Sequence, residues 1–121
     1  MKLHVISIDD SKAVLKYIEW VFSASSHTVE TEISGREALK KLQKDSSQYD
    51  LILLDWEMPE LDGIGFLKEL KKNNIKTPVA MLTSKNNEKD IREAISYGVE
   101  EFIMKPFTPE ILIEKIEEIF D

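Results

Sequence analysis

The 121 residues are 42% hydrophobic, enough for one compact domain with its own core and too few to feed two. Lys and Arg number 16 against 23 Asp and Glu, and the net charge of -7 opposes binding to nucleic-acid phosphates or to an anionic lipid surface. With no cysteine, disulfides, zinc–thiolate sites and thiol nucleophiles drop out; no apolar run approaches the roughly 20 residues that span a bilayer, so no membrane insertion is expected.

Along the chain, strand-like runs alternate with longer segments of helical spacing. The first strand is predicted at Leu3 to Ile8, followed by a stripe of Val14, Leu15, Ile18, Val21 and Phe22 that reads as one helix face. A second strand at Thr28 to Ile33 leads into Ser34 to Glu37, which has the spacing of a capping box, and then Ala38, Leu39 and Leu42. The third, Leu51 to Leu54, is apolar without alternation, the pattern of a strand buried on both faces; Ile64, Leu67 and Leu70 follow it. Val79 to Leu82 precedes Ile91, Ala94 and Ile95, with Gly98 as a helix stop. Last come Glu101 to Met104, Thr108-Pro109 as a helix start, and Leu112, Ile113, Ile116, Ile119 and Phe120 at a period of three to four. Strands that alternate with helices pair in parallel through crossovers, so the expected fold is an α/β central sheet covered on both faces. One domain is expected over 1–121. Without a signal-peptide pattern at its start, the chain is expected in the cytoplasm.

In open parallel sheets ligands gather beyond the carboxyl ends of the strands. Asp9 and Asp10 follow the first predicted strand, Asp55 the third, Thr83 and Ser84 the fourth, and Lys105 the fifth. Clustered carboxylates repel one another without a cation, and an all-oxygen donor set favours a hard ion such as Mg²⁺. A carboxylate can attack phosphorus to give an acyl phosphate, while a metal, a lysine and a hydroxyl stabilise the charge on the transferring group. Asp55 is the best-placed nucleophile. Taken singly these residues have ordinary readings: Asp9-Asp10 as a helix cap, Thr83-Ser84 as a turn, Lys105 as solvated surface. Gly63-Ile64-Gly65 lacks the third glycine of a nucleotide fingerprint, because position 68 is Lys68. His4 and His27 read as strand and loop residues, and Trp20 as helix packing or partial surface.

The segments VISIDDS, LILLDWEMPELDG, VAMLTS and FIMKPF, in this order, resemble the receiver domains of two-component response regulators, and the resemblance covers essentially the whole chain. It implies a flavodoxin-like (βα)5 three-layer sandwich with a parallel five-stranded sheet of order 2-1-3-4-5. It also implies Mg²⁺ held by Asp9, Asp10, Asp55 and the backbone carbonyl of Glu57, with Asp55 as phosphoacceptor and Lys105 contacting the phosphoryl group. Thr83 and Phe102 are implied as the switch pair. Many relatives have Tyr where this chain has Phe102, so a hydroxyl used in one state is missing here. The bond before Pro106 is implied to be cis. Glu57 and Lys85 would border the phosphoryl group, and they are expected to pair across the pocket mouth. The implied donor is a histidine kinase or phosphotransfer protein. The output partner would be a protein contacting the fourth helix, fifth strand and fifth helix.

Other functions fit the residues less well. Phosphatases of the haloacid dehalogenase type need a second Asp two residues after the nucleophile, where this chain has Glu57, and a cap domain for which it has no room. A flavodoxin-like electron carrier needs a hydroxyl-rich phosphate loop, where Asp9-Asp10 would repel a flavin phosphate. A phosphorylation-independent adaptor would have little use for the full set of Asp9, Asp10, Asp55, Thr83 and Lys105.

Overall fold

The alternating runs resolve into five strands and five α-helices in a computed structural model that describes residues 1–58, 61–84 and 87–121. The strands β1 (His4–Ile8), β2 (Thr28–Glu32), β3 (Leu51–Asp55), β4 (Val79–Thr83) and β5 (Glu101–Met104) are all parallel, in the order 2-1-3-4-5. The helices are α1 (Lys12–Ser23), α2 (Gly35–Asp45), α3 (Gly63–Lys72), α4 (Glu88–Ser96) and α5 (Pro109–Ile119). This is the flavodoxin-like, doubly wound arrangement that the resemblance implies. Ile6, Ile8, Ile52, Leu54 and Met81 face α2, α3 and α4, while Val5, Leu51, Leu53, Leu82 and Ile103 face α1 and α5. Every residue of β3 is buried, as its unbroken apolar run requires.

Helix ends follow local chemistry. Ser11, Ser34 and Thr108 accept from the amides of Val14, Glu37 and Ile111, and Pro109 opens α5, where its missing N–H costs nothing. Gly98, at φ +86, takes the left-handed conformation that ends the α4 segment. β3 and β4 run one residue beyond their apolar stretches, to Asp55 and Thr83, because ladder pairing with Leu82 and Met104 uses the backbone whatever the side chain. The stripe on α4 is thinner than expected: Ala94 is buried, but Ile95 is 55% exposed. Trp20 is also exposed. No helix among the described residues is long and apolar enough to cross a membrane.

Two core polar groups stand apart from the sequence reading. Buried His27 accepts the Leu3 N–H through Nδ1 (3.0 Å), which leaves Nε2–H to donate to Glu117 (2.8 Å), so one ring ties the start of β1 to the end of α5. Ser7 is fully buried on β1, on the α1/α5 side with Val5, and its hydroxyl has no hydrogen-bond partner among the described residues. An orphaned buried hydroxyl costs about 1–3 kcal/mol, so Ser7→Ala is expected to gain about 1 kcal/mol after the small loss of packing. A higher urea midpoint at unchanged slope would register that gain; a lower midpoint would mean the hydroxyl is satisfied.

Candidate functional site

β1 and β3 are neighbours at the point where chain order reverses, so the residues that follow them meet at one end of the sheet. Asp9 and Asp10 leave β1 there, and Asp55 ends β3. One oxygen of each carboxylate lies within 4.8 Å of the others; Asp9 and Asp55 are buried and Asp10 is exposed at the rim. Asp9 does not cap α1, since Ser11 does; Asp9 accepts instead from the Ser11 amide at 2.9 Å. Lys105, beyond β5, donates through Nζ to Asp55 Oδ1 at 2.8 Å and to Asp9 Oδ2 at 3.2 Å. The Lys105–Pro106 bond is cis.

The electrostatics follow from this crowding. Burial raises the Asp55 carboxyl above its usual range; the hydrogen bond from Lys105 pulls it down, but the charges of Asp9 and Asp10 push it up again and the rise prevails. For Lys105, burial acts downward, yet its bond to Asp55 and the charges of Asp55 and Asp9 outweigh that and hold the ammonium form. Three clustered carboxylates, two of them bonded to the one lysine, retain a surplus of negative charge, and their donors are all oxygen. The set therefore fits a hard divalent cation.

The other predicted residues fall around this cluster in different ways. Thr83 is buried at the end of β4, one position past the residue that pairs with Asp55, and its carbonyl accepts the Lys105 amide at 2.9 Å. Glu57 is exposed two residues beyond Asp55, and the hydroxyl of exposed Ser84 donates to its carboxylate at 3.4 Å. The expected partner Lys85 lies outside the described residues. Phe102 is half-buried on β5, packed against the core on the α4 side and not among the carboxylates.

Gly63 approaches the Trp56 backbone so closely that a side chain there would force its neighbours to shift. The Gly63 amide donates to the Trp56 carbonyl at 2.8 Å, and a Cβ on Gly63 would sit 2.7 Å from Met81 Cε and 3.1 Å from Trp56 Cα. The methionine can move; the Trp56 backbone, directly after Asp55, cannot move without disturbing the site. Gly63→Ala is expected to cost about 1–3 kcal/mol and to weaken Mg²⁺-induced stabilisation of the chain. Thermal melts with and without Mg²⁺ check both parts, and an unchanged melt would contradict the packing argument.

Sequence reasoning missed the surface beside the lysine. Tyr17 on α1 and Phe107 after β5 sit with ring centroids 5.9 Å apart, and a cavity of about 580 Å³ opens between Val14, Tyr17, Ser84, Lys105, Pro106 and Phe107. Residues 90 apart create it, so no local pattern announces it.

Comparison with known proteins gives a consistent result. The family model described as the response regulator receiver domain matches residues 5–117. The response regulator SaeR of Staphylococcus aureus is 31% identical over 116 residues, 96% of this chain and 50% of the relative. The chain thus spans about half the length of the curated relatives it matches. Among solved structures, the chemotaxis protein CheY4 of Vibrio cholerae is 30% identical with a TM-score of 0.88, covering 98% of this chain and 99% of the other. A Francisella response regulator receiver domain is 32% identical at a TM-score of 0.88, covering 98% and 96%.

Proposed function

The chain belongs to the response regulator receiver domain family, and we propose that it is a Mg²⁺-dependent phosphorylation switch whose acceptor is Asp55. The observation that carries this reading is the convergence of Asp9, Asp10 and Asp55 on one point with Lys105 bonded to two of them. Asp9, Asp10, Asp55 and the Glu57 backbone carbonyl would hold the cation, which supplies charge neutralisation for the incoming phosphoryl group when bound.

An Asp55 carboxylate oxygen attacks the phosphorus of a phosphohistidine on a kinase or phosphotransfer protein. The new O–P bond forms as the P–N bond breaks, and the imidazole leaves with the electron pair and takes up a proton. Lys105, already bonded to Asp55 Oδ1, is positioned to follow the charge onto the phosphoryl oxygens. The Thr83 hydroxyl, buried one residue past the Asp55 pairing position, is drawn to the phosphoryl group. That movement opens room for Phe102 to turn inward, a two-state shift read out on the face of α4, β5 and α5. Support for that face comes from Ile95, Met104 and Ile111, apolar side chains exposed on three adjoining elements. The donor approaches over the Tyr17–Phe107 cavity, the apolar surface that borders Lys105.

Intact mass after incubation with a small acyl phosphate tests the switch. One added phosphoryl group is expected with Mg²⁺ and none with a chelator present. Failure to gain mass under either condition would favour a phosphorylation-independent adaptor.

A further inference from the structure

On the side of α1 away from the carboxylate cluster, a groove of about 620 Å³ runs between the end of α1 and α5. Val21, Ala24, Pro109 and Ile113 give it an apolar floor. Along its α5 wall lie Glu110, Glu114, Glu117 and Glu118, with Asp121 just past the helix end, and no Lys or Arg is among the described residues lining it. Only Glu117 is engaged, by His27; the other four carboxylates make no ion pair among the described residues.

This arrangement works against α5 itself. Glu110, Glu114 and Glu118 are spaced i, i+4, and like charges at that spacing destabilise a helix. Glu117 and Glu118 sit in the last turn, where the helix dipole favours cations, and no basic residue is there to offset them. Apart from the His27 bond to Glu117, no ion pair among the described residues relieves these conflicts, whereas a cationic ligand would relieve both at once.

We propose that the α1/α5 groove docks a basic amphipathic helix of a partner protein, its apolar stripe on Ala24 and Ile113 and its lysines or arginines on Glu110, Glu114, Glu118 and Asp121. The carboxylate row from Glu110 to Asp121 is about 16 Å long, matching about three turns of a partner helix. A second copy presenting the same groove would set carboxylate against carboxylate, and nucleic acid carries the wrong charge. None of the residues lining the groove belongs to the carboxylate cluster or is among Ile95, Met104 and Ile111 of the α4-β5-α5 face.

Fluorescence anisotropy with a labelled helical peptide of alternating Leu and Lys stripes, spanning about four turns, tests the proposal on the whole chain. Glu114→Lys is expected to weaken binding at least about tenfold, against less than about twofold for Glu93→Lys on α4, which changes the net charge equally. A peptide of the same charge with Ser in place of Leu is expected to bind at least about tenfold more weakly than the Leu peptide, because the apolar floor is then unused. The thermal midpoint of Glu114→Lys should equal or exceed that of the unaltered chain, so lost binding would not reflect unfolding. Equal weakening by both charge reversals, or equal binding of both peptides, would overturn the groove assignment.

Discussion

Asp55→Asn is expected to fall to background in phosphoryl uptake while melting at a higher temperature than the unaltered chain at neutral pH. The two effects share one cause. Asp55 is 5% exposed, and burial together with the charges of Asp9 and Asp10 holds its carboxyl above the usual range despite Lys105. A carboxyl raised in the folded state contributes stability that is fully present below its unfolded value of 3.8 and is lost as pH rises through the folded value. At neutral pH the ionised side chain is therefore a net cost to the fold. Asn keeps the shape, removes the charge and leaves Lys105 its bond to Asp9 at 3.2 Å. Each 1 kcal/mol so relieved moves the melting midpoint by about 4 °C in a domain of this size. The gap between variant and unaltered chain should narrow as pH falls through the raised folded value, since protonation then neutralises Asp55 in the unaltered chain and leaves both with an uncharged side chain at position 55. A gap that is constant with pH would show that the charge is not its origin. Added Mg²⁺ should also narrow the gap, because the unaltered chain keeps the stronger cation site.

Lys105→Ala should act in the opposite direction on stability. It removes the ammonium that contacts Asp55 at 2.8 Å and Asp9 at 3.2 Å and leaves two buried carboxylates beside Asp10 with no cation. Breaking such a pair from one side costs about 3 kcal/mol, at the low end of the range because the Lys105 side chain is 26% exposed. The lysine is raised in the folded state, so its contribution is fully present below 10.5 and disappears only as pH rises through the higher folded value; the loss should therefore be complete at pH 7. Mg²⁺ should restore much of it, and the Mg²⁺-induced rise in melting temperature should be larger in the variant than in the unaltered chain. Denaturant unfolding with and without Mg²⁺ measures both. A variant as stable as the unaltered chain in a chelator would mean that the carboxylates do not repel as the geometry requires.

The fold was legible because its determinants are local and repetitive. Runs such as LILL and the stripe from Val14 to Phe22 carry their own period, and Ser34, Gly98 and Thr108-Pro109 mark boundaries through backbone hydrogen bonding that involves no distant partner. The acidic cluster could be anticipated for a topological reason: strand ends in a parallel sheet share one edge, so Asp9, Asp10, Asp55 and Lys105 meet there once the strand order is known. The strand order itself came from the resemblance and not from the periodicity. What could not be read depends on long-range geometry. His27 finds Glu117 across 90 positions, Tyr17 finds Phe107 across the same separation, and Ile95 turns outward although its spacing fits an inward stripe. Ser7 sits between the apolar Ile6 and Ile8, where only three-dimensional accounting reveals a hydroxyl without a partner among the described residues.

The central claim is that Asp55, and no other residue, accepts the phosphoryl group. Borohydride reduces an acyl phosphate to an alcohol, so peptide mapping after treatment with a small acyl phosphate, Mg²⁺ and borohydride marks the modified position directly. Reduction confined to position 55, and absent when Mg²⁺ is chelated, is the predicted result. Reduction at Asp9 or Asp10 instead, or a chain that gains a phosphoryl group yet shows no reduced residue, would contradict the assignment.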